Sequence, residues 1–223
     1  MDVLNELQDD VIEIDISNKN IEGDIDFSRF TSLIKLKCYD NKITSLNNLP
    51  NTLIKLYCGD NEIIILDNLP ISLEVLYCNN NNNIKILDNL PTSLKKLNCN
   101  DNNIKTLEYL PNCLEELFCE NNDLENLDNL PNSLKILYCC YNKITNIDNL
   151  PDSLEKIICS SNKITSIIKF PISLKEINCS FNEIVVLDNF PNSLKSIYLF
   201  GSENILTITK NLKQKYPHIS INN

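Results

Sequence analysis

Residues 50–70 read PNTLIKLYCGDNEIIILDNLP, and the same skeleton returns about every twenty residues along the chain. From Leu53 to Leu69 the skeleton is LxxLxCxxNxIxxLxxL, with leucine, cysteine and asparagine at fixed places. A repeat of this length supplies one short strand, one turn and one return segment. It cannot bury its apolar side alone, so neighbouring repeats must stack and share one core. The sequence therefore predicts a solenoid of stacked turns.

The first half of each repeat is predicted to be a strand. Leu56 and Cys58 are two residues apart, so both side chains point into the core, while Tyr57 points to the opposite, concave face. Each return segment ends at a proline such as Pro70, which disfavours helical backbone at Leu69. We therefore expect an α/β-type solenoid that is mostly β. The expected form is a leucine-rich repeat arc with a parallel concave sheet, an extended or polyproline-like convex side and a short C-terminal capping helix.

Two polar ladders accompany the apolar one. An asparagine follows each strand, where its amide can satisfy buried backbone groups of its own turn and the adjacent one. A small polar residue follows each proline by two positions, where its hydroxyl can bond a backbone group in the turn into the strand. Cys113 is the exception in this second series. The predicted asparagine ladder is Asn41, Asn61, Asn81 or Asn82, Asn102, Asn122, Asn142, Asn162 and Asn182.

The repeat count predicts a single domain over residues 1–223. We assign residues 1–10 to an N-terminal cap, 11–199 to about ten repeats of 20–22 residues, and 200–223 to a C-terminal cap. Within the last segment, residues 207–216 are expected to form an amphipathic helix that Pro217 ends. Ile219 and Ile221 alternate, which predicts a final short strand.

The charge distribution and the N-terminal residues limit the expected partners and location. The formal net charge is −10, of which −8 lies in the first 26 residues, with nine acidic side chains and one basic. No basic stripe is present, so nucleic acid is not an expected partner. Residues 1–10 lack the features of a signal peptide, and no apolar run is long enough to cross a membrane. We expect an intracellular, cytoplasmic protein, and host cytoplasm as its location if the chain belongs to a pathogen. We expect no membrane contact and a monomer rather than a homo-oligomer.

The ten cysteines raise the alternatives of disulfides, a metal site and a catalytic thiol. The inward ladder makes eight of them small buried hydrophobes, with side chains too nearly parallel for good disulfide geometry. No CxxC pair exists and His218 is the single histidine, so no metal, cofactor or acid–base centre is predicted and the chain is not expected to be an enzyme. Cys140 follows an inward cysteine and is predicted to face outward, as a passive surface thiol or a reactive one. The ladder cysteines are Cys38, Cys58, Cys78, Cys99, Cys119, Cys139, Cys159 and Cys179.

The outward strand positions are the candidate binding surface, and most central ones are large and aromatic or apolar. Aromatic side chains on a rigid sheet are typical of interface hot spots. Aromatic residues also favour strands and brace one another across neighbouring rungs, and this alternative stays open. The predicted partner-binding residues are Lys37, Tyr39, Tyr57, Tyr77, Phe118, Tyr138, Tyr141, Ile158, Phe181 and Tyr198.

With these motifs assembled, the chain resembles the short LPX-type leucine-rich repeats of bacterial effector proteins. It is similar, more closely, to the cysteine- and asparagine-rich repeat proteins of giant amoebal viruses such as mimivirus. The matching residues are Leu69-Pro70, Leu73, Leu76 and Cys78, with equivalents over about residues 33–199. Cysteine stands where the bacterial repeats usually have valine, and Asp67-Asn68 replaces their second proline.

The resemblance implies a non-enzymatic scaffold that binds protein on its concave face, as a viral or pathogen protein that engages host proteins. The alternative is a structural, self-associating solenoid without a dedicated ligand.

Overall fold

The computed structural model describes residues 3–81, 84–201, 210 and 212–223. These residues belong to two compact units. Unit 1 comprises Met1–Ile104 and Tyr109–Leu114, and unit 2 comprises Lys105–Glu108 and Glu115–Asn223. Each unit is a leucine-rich repeat solenoid with a parallel sheet, which confirms the predicted fold class.

Unit 1 contains seven strands among its described residues. Its main sheet is parallel, in the order β1-β3-β5-β6-β7, and a second two-stranded parallel sheet pairs β2 with β4 on the return side. The strands are β1 (Glu13–Asp15), β2 (Glu22–Asp26), β3 (Lys35–Lys37), β4 (Lys42–Asn47), β5 (Lys55–Tyr57), β6 (Val75–Tyr77) and β7 (Lys96–Asn98).

Unit 2 repeats this plan with eight strands among its described residues. Its main sheet has the order β8-β9-β10-β12-β14-β15, and β11 pairs with β13 on the return side. The strands are β8 (Glu116–Phe118), β9 (Ile136–Tyr138), β10 (Lys156–Ile158), β11 (Ser166–Ile167), β12 (Glu176–Asn178), β13 (Val186–Leu187), β14 (Ser196–Tyr198) and β15 (Ser220–Asn222).

The inner spine of both units consists of the predicted leucines, isoleucines and thiols. Leu56, Leu76 and Leu97 are fully buried in unit 1, and Leu137 is fully buried in unit 2. The eight ladder cysteines are likewise 0% exposed. Burial raises the pKa of seven of these thiols, that of Cys78 to about 12, so those seven stay protonated at neutral pH.

The asparagine ladder holds each turn to the one before it, as predicted. The Nδ2 group of Asn61 donates to the carbonyls of Cys38, Cys58 and Gly59 at 3.0–3.2 Å. Its Oδ1 accepts the backbone N–H of Ile43 at 2.9 Å. Asn81, which is fully buried, fills the ladder position in the next repeat, and the alternative Asn82 lies outside the described residues. One amide thus satisfies backbone groups of two turns.

The hydroxyl ladder also joins neighbouring turns, with a backbone partner one turn back that the sequence pattern did not specify. Ser72 Oγ donates to the carbonyl of Leu53, one turn back, at 2.8 Å. Cys113 takes the same place, since its thiol donates to the carbonyl of Leu94 at 3.2 Å. The physical reason is that the first leucine of the preceding turn presents a carbonyl directly beside this side chain.

The caps close the two chain ends. Val3–Glu6 form a 3-10 helix, the buried Leu4 packs at its centre, and Arg29 donates to the carbonyls of Leu4 and Leu7. At the other end, residues 210 and 212–215 are helical. The rest of the helix predicted for 207–216, apart from the described Tyr216, lies outside the described residues. The predicted last strand is confirmed as β15, with Ile219 and Ile221 buried.

Candidate protein-binding face

In each main-sheet strand the first and third residues point outward, as Lys55 and Tyr57 do in β5, and so does the residue two places further on, such as Gly59. These outward positions are called the strand face of each unit. In unit 1 its centre is a pair of tyrosines. Tyr57 and Tyr77 are aligned in the parallel register, with ring centroids 5.1 Å apart and planes at 63°. Lys96 Nζ lies 5.9 Å from the Tyr77 ring centroid, close enough for a cation–π contact. Both tyrosines are half-buried, so part of each side chain is open to solvent.

Two lysines at the start of the unit 1 face are already paired with carboxylates. Lys35 lies 2.8 Å from Glu13, and Lys37 lies 3.3 Å from Asp15. The hydrogen bond from Lys35 lowers the pKa of Glu13, and the bond to Asp15 raises the pKa of Lys37. Lys37 is thus held by the protein itself, although the sequence predicted it as a partner contact.

The strand face of unit 2 carries a second aromatic pair with a charged neighbour. Phe118 and Tyr138 have ring centroids 5.0 Å apart and planes at 32°. Lys156 Nζ lies 5.6 Å from the Tyr138 centroid and 3.1 Å from the Glu176 carboxylate. The hydrogen bond to Glu176 raises the pKa of Lys156. Phe118 and Tyr138 thus form an aromatic platform beside the Lys156–Glu176 ion pair.

Three predicted contact residues lie just beyond the strands. Tyr39, Tyr141 and Phe181 are 38%, 65% and 61% exposed. Tyr141 and Phe181 have φ angles of 53° and 54°, in the left-handed region. Asp or Asn occupies this position in five other repeats, at Asp40, Asp60, Asn80, Asp101 and Asn121. A bulky ring is unusual there because its side chain strains such backbone.

The structure therefore places the predicted site residues in two groups. Lys37, Tyr39, Tyr57 and Tyr77 belong to unit 1, and Phe118, Tyr138, Tyr141, Ile158, Phe181 and Tyr198 belong to unit 2. Within unit 2, Tyr138 and Ile158 are aligned on adjacent strands, and Asn178 separates Ile158 from Tyr198. The two close ring pairs show that cross-strand bracing occurs. A role of these residues in partner binding stays a prediction.

The prediction that Cys140 faces outward is wrong. Cys140 is only 4% exposed, and its thiol lies 3.1 Å from the hydroxyl of Ser160 on the next turn. Burial raises the pKa of Cys140, which makes the thiol less nucleophilic at neutral pH. The neighbouring turn covers it, a contact that alternation along one strand does not reveal.

A second surface, on the return side of unit 1, was not predicted. Ile64, Ile65 and Ile86 are 57%, 62% and 62% exposed and line a groove of about 600 Å³. Only Ile63 is needed by the repeat skeleton, so the extra isoleucines in the run at 63–65 were the available signal. Their exposure is an apolar patch with no assigned partner.

A metal site and a membrane-spanning helix each have requirements that the described residues do not meet. That part of the chain contains no group of three or more His, Cys, Asp or Glu side chains able to hold a metal ion. It also contains no helix with the length and apolarity that crossing a bilayer requires.

Stacked parallel strands, an apolar spine and a buried asparagine ladder define the chain as a leucine-rich repeat protein. Solved structures of the same fold agree with this assignment. The chain is similar to YopM from Yersinia enterocolitica WA-314, with a TM-score of 0.65 and 27% identity, covering 86% of this chain and 49% of YopM. It is also similar to the functional domain of InlJ from Listeria monocytogenes, which includes a cysteine ladder. There the TM-score is 0.73 and the identity 27%, covering 86% of this chain and 44% of that one.

An internalin of Listeria monocytogenes, InlF, shares the fold at 21% identity and a TM-score of 0.64, covering 86% of this chain and 67% of that one. The chain spans about half the length of the YopM and InlJ chains. No protein-family model and no curated protein matches its sequence. Leucine-rich repeat folds of this kind are typically protein-interaction scaffolds.

Proposed function

We propose that the chain is a non-enzymatic scaffold that binds another protein on its strand faces. The observation that carries this proposal is the pair of aromatic platforms, Tyr57–Tyr77 and Phe118–Tyr138, with centroids 5.1 Å and 5.0 Å apart. Each ring is half-buried and braced by its neighbour. A partner therefore gains a large apolar contact without the entropy cost of ordering flexible side chains.

Rigidity beneath these rings supports the same proposal. Strands that carry the ring pairs are anchored by buried asparagines that bond two turns, as Asn61 does after β5 and Asn142 after β9. A pre-organised surface binds with less loss of freedom than one that must fold on contact. The buried, protonated thiol ladder supports a reducing, intracellular setting, which we propose as the location.

The test is partner recovery by affinity purification from the native cellular setting, comparing the wild type with a Tyr77→Ala, Tyr138→Ala double variant. If these tyrosines are hot spots, binding weakens by about 2 kcal/mol or more. Tyr109→Ala is the matched control, because Tyr109 is 65% exposed and lies off the strand face. Equal recovery by the double variant and the wild type would contradict the proposal.

We further propose that the partner is a protein of a host cell. The support is the resemblance of the repeats to those of bacterial effectors and giant-virus proteins. Purification from a host lysate and from an uninfected non-host lysate, side by side, tests it. Recovery of the same partner from both would contradict a dedicated host target.

The second candidate function is self-association through a free strand edge. β15 pairs with β14 and with no other described strand, so its second edge is the candidate surface for pairing with another copy. Light scattering over a range of protein concentrations distinguishes the two functions. A mass that rises with concentration, and falls when Ile221 is replaced by proline, would favour self-association.

A further inference from the structure

Two aromatic side chains of unit 2 stand on backbone that does not suit them. Tyr141 and Phe181 directly precede ladder asparagines and have φ angles of 53° and 54°, a region that strains bulky residues. Asn121 holds the equivalent position one turn before Tyr141, at a φ of 52°, where asparagine is tolerated. Both rings are more than half exposed, so packing in the core does not account for them. Strain kept at an exposed side chain points to a function.

The turn edge of unit 2 is defined here as the residues at this position in consecutive turns. Large and small side chains alternate along it. A Cβ added at Gly201 would lie 2.5 Å from Phe181 Cδ1, so the missing side chain at Gly201 leaves room for the Phe181 ring. Ser161 is the small residue on the turn between the two aromatic ones. The turn edge therefore presents two separate rings and consists of Asn121, Tyr141, Ser161, Phe181 and Gly201.

The backbone fixes the separation of the two rings. The N–H of Tyr141 donates to the carbonyl of Ser160 at 3.1 Å, and the N–H of Ser161 donates to the carbonyl of Ser180 at 3.0 Å. Consecutive turns are thus hydrogen-bonded here as neighbouring strands are, at a spacing of about 4.8 Å. Tyr141 and Phe181 are two turns apart, so their backbones are about 10 Å apart.

This separation matches the repeat of a polyproline II helix. That helix rises about 3.1 Å per residue with about three residues per turn. Its side chains at positions i and i+3 therefore lie on the same face, about 9.3 Å apart. In a β-strand, by contrast, residues i and i+3 point to opposite faces, so a strand does not offer two side chains at this distance. Proline-rich segments are known to dock on surfaces lined by aromatic side chains.

The polar groups of the turn edge also suit such a segment. The hydroxyls of Tyr141 and Ser161 form no hydrogen bond with any residue in the described part of the chain. A polyproline II segment has no internal hydrogen bonds, so its backbone carbonyls are open acceptors for these donors. None of the five residues of the turn edge is charged, whereas the same position in unit 1 carries Asp40, Asp60 and Asp101.

We propose that the turn edge of unit 2 binds a proline-rich segment of a protein in the polyproline II conformation. The segment runs across the turns, with prolines at i and i+3 packed on the Tyr141 and Phe181 rings. Because the turn edge lies outside the strand faces, it is a second surface, and its ligand need not be the partner that the strand faces bind.

The test is isothermal titration calorimetry of the full chain with decaproline, acetylated and amidated at its ends. Decaserine, blocked in the same way, is the comparison peptide because it has the same length without the preformed helix or the proline rings. We expect decaproline to bind and decaserine to give no binding heat. Tyr141→Asn and Phe181→Asn should each weaken decaproline binding at least about fivefold.

Asparagine is the replacement because the left-handed backbone accommodates it, as at Asn121, and circular dichroism melting checks that each variant is folded. Tyr109→Asn is the matched control, since Tyr109 is as exposed as Tyr141 and lies off the turn edge. It should leave decaproline affinity unchanged.

Three results would overturn the proposal: no binding of decaproline, equal binding of decaserine, or decaproline affinity that neither Tyr141→Asn nor Phe181→Asn lowers. The scaffold function of the strand faces is judged separately, by partner recovery from cells.

Discussion

At the scale of the residue, the buried asparagine is the side chain on which each turn depends. Asn142 donates to the carbonyls of Cys119, Cys139 and Cys140 and accepts the N–H of Leu124. In Asn142→Ala these buried groups lose their partner at about 1–3 kcal/mol each when left unsatisfied. We expect the unfolding free energy to fall by more than about 2 kcal/mol, as measured by urea denaturation.

The neighbouring asparagine of the same repeat gives the comparison. Asn149 is exposed, so Asn149→Ala should change stability by less than about 0.5 kcal/mol. A loss of similar size in both variants would mean that the ladder bonds add nothing to stability.

Strained backbone at two aromatic residues predicts that a substitution there stabilises the protein. Tyr141 is 65% exposed and has a φ of 53°, where asparagine is more easily accommodated. Tyr141→Asn should stabilise the protein by about 1 kcal/mol, because strain is relieved and little packing is lost. The reciprocal Asp40→Tyr, at a φ of 56°, should destabilise it. Thermal melts of both variants provide the measurement, and destabilisation by Tyr141→Asn would refute the strain argument.

Some residue roles could be predicted from the sequence and others could not. The place of Asn61 after a strand predicts its bonds, since the turn leaves buried backbone groups that need partners. Cys140 contacts Ser160, a residue of the next turn. The alternation of side chains within one strand does not predict a contact with another turn. The left-handed backbone at Phe181 was also missed, because nothing about phenylalanine favours that conformation.

At the scale of the element, the strands of the main sheet follow from alternation and proline spacing. The pairing of β2 with β4 and of β11 with β13 does not, because it depends on how closely neighbouring return segments approach. The sequence predicts extended return segments, and only the fold decides which of them pair.

The contact between the C-terminal cap and Asp188 makes stability depend on pH. Asp188 accepts hydrogen bonds from Lys215 at 2.5 Å and from the hydroxyl of Tyr216 at 2.9 Å, and the Tyr216 ring packs 4.8 Å from Phe190. Mainly through the Lys215 bond, the pKa of Asp188 falls from 3.8 to about 2. A lowered folded-state pKa stabilises the protein above the unfolded value, and this contribution is lost as pH falls through the folded value.

We therefore expect Asp188→Asn to melt at a lower temperature than the wild type near neutral pH. The difference should shrink as pH falls from 3.8 toward about 2. Asp10→Asn, at an exposed acidic residue of the N-terminal cap, is the control for general charge effects. A difference that stays constant across that range would show that Asp188 is not the group responsible.

At the scale of the whole molecule, the thiols report whether both units are closed around their spine. Nine of the ten cysteines are buried, and Cys113 is the partly exposed one. A chromogenic thiol reagent at neutral pH should therefore modify about one thiol per native chain and all ten in denaturant. Cys113→Ser should abolish the native reaction without loss of stability, because serine makes the same bond to the previous turn in other repeats, as at Ser72. Residual native labelling in that variant would place another thiol, Cys140 first, at the surface.

The binding face shows the same division between what the sequence predicts and what it does not. The aromatic residues of the face were predictable from their place in the repeat. The ion pair between Lys35 and Glu13 was not, since it follows from the register of β1 with β3.

The reach of the ladder amides has a consequence for how such a chain can change over generations. Asn61 bonds to residues 18 and 23 positions earlier, and Asn142 repeats the same offsets. Gene duplication or unequal recombination that adds or removes one complete repeat leaves every such offset as it was. Related proteins can therefore differ in length by whole turns and in their outward side chains, while the interior contacts of each turn stay the same.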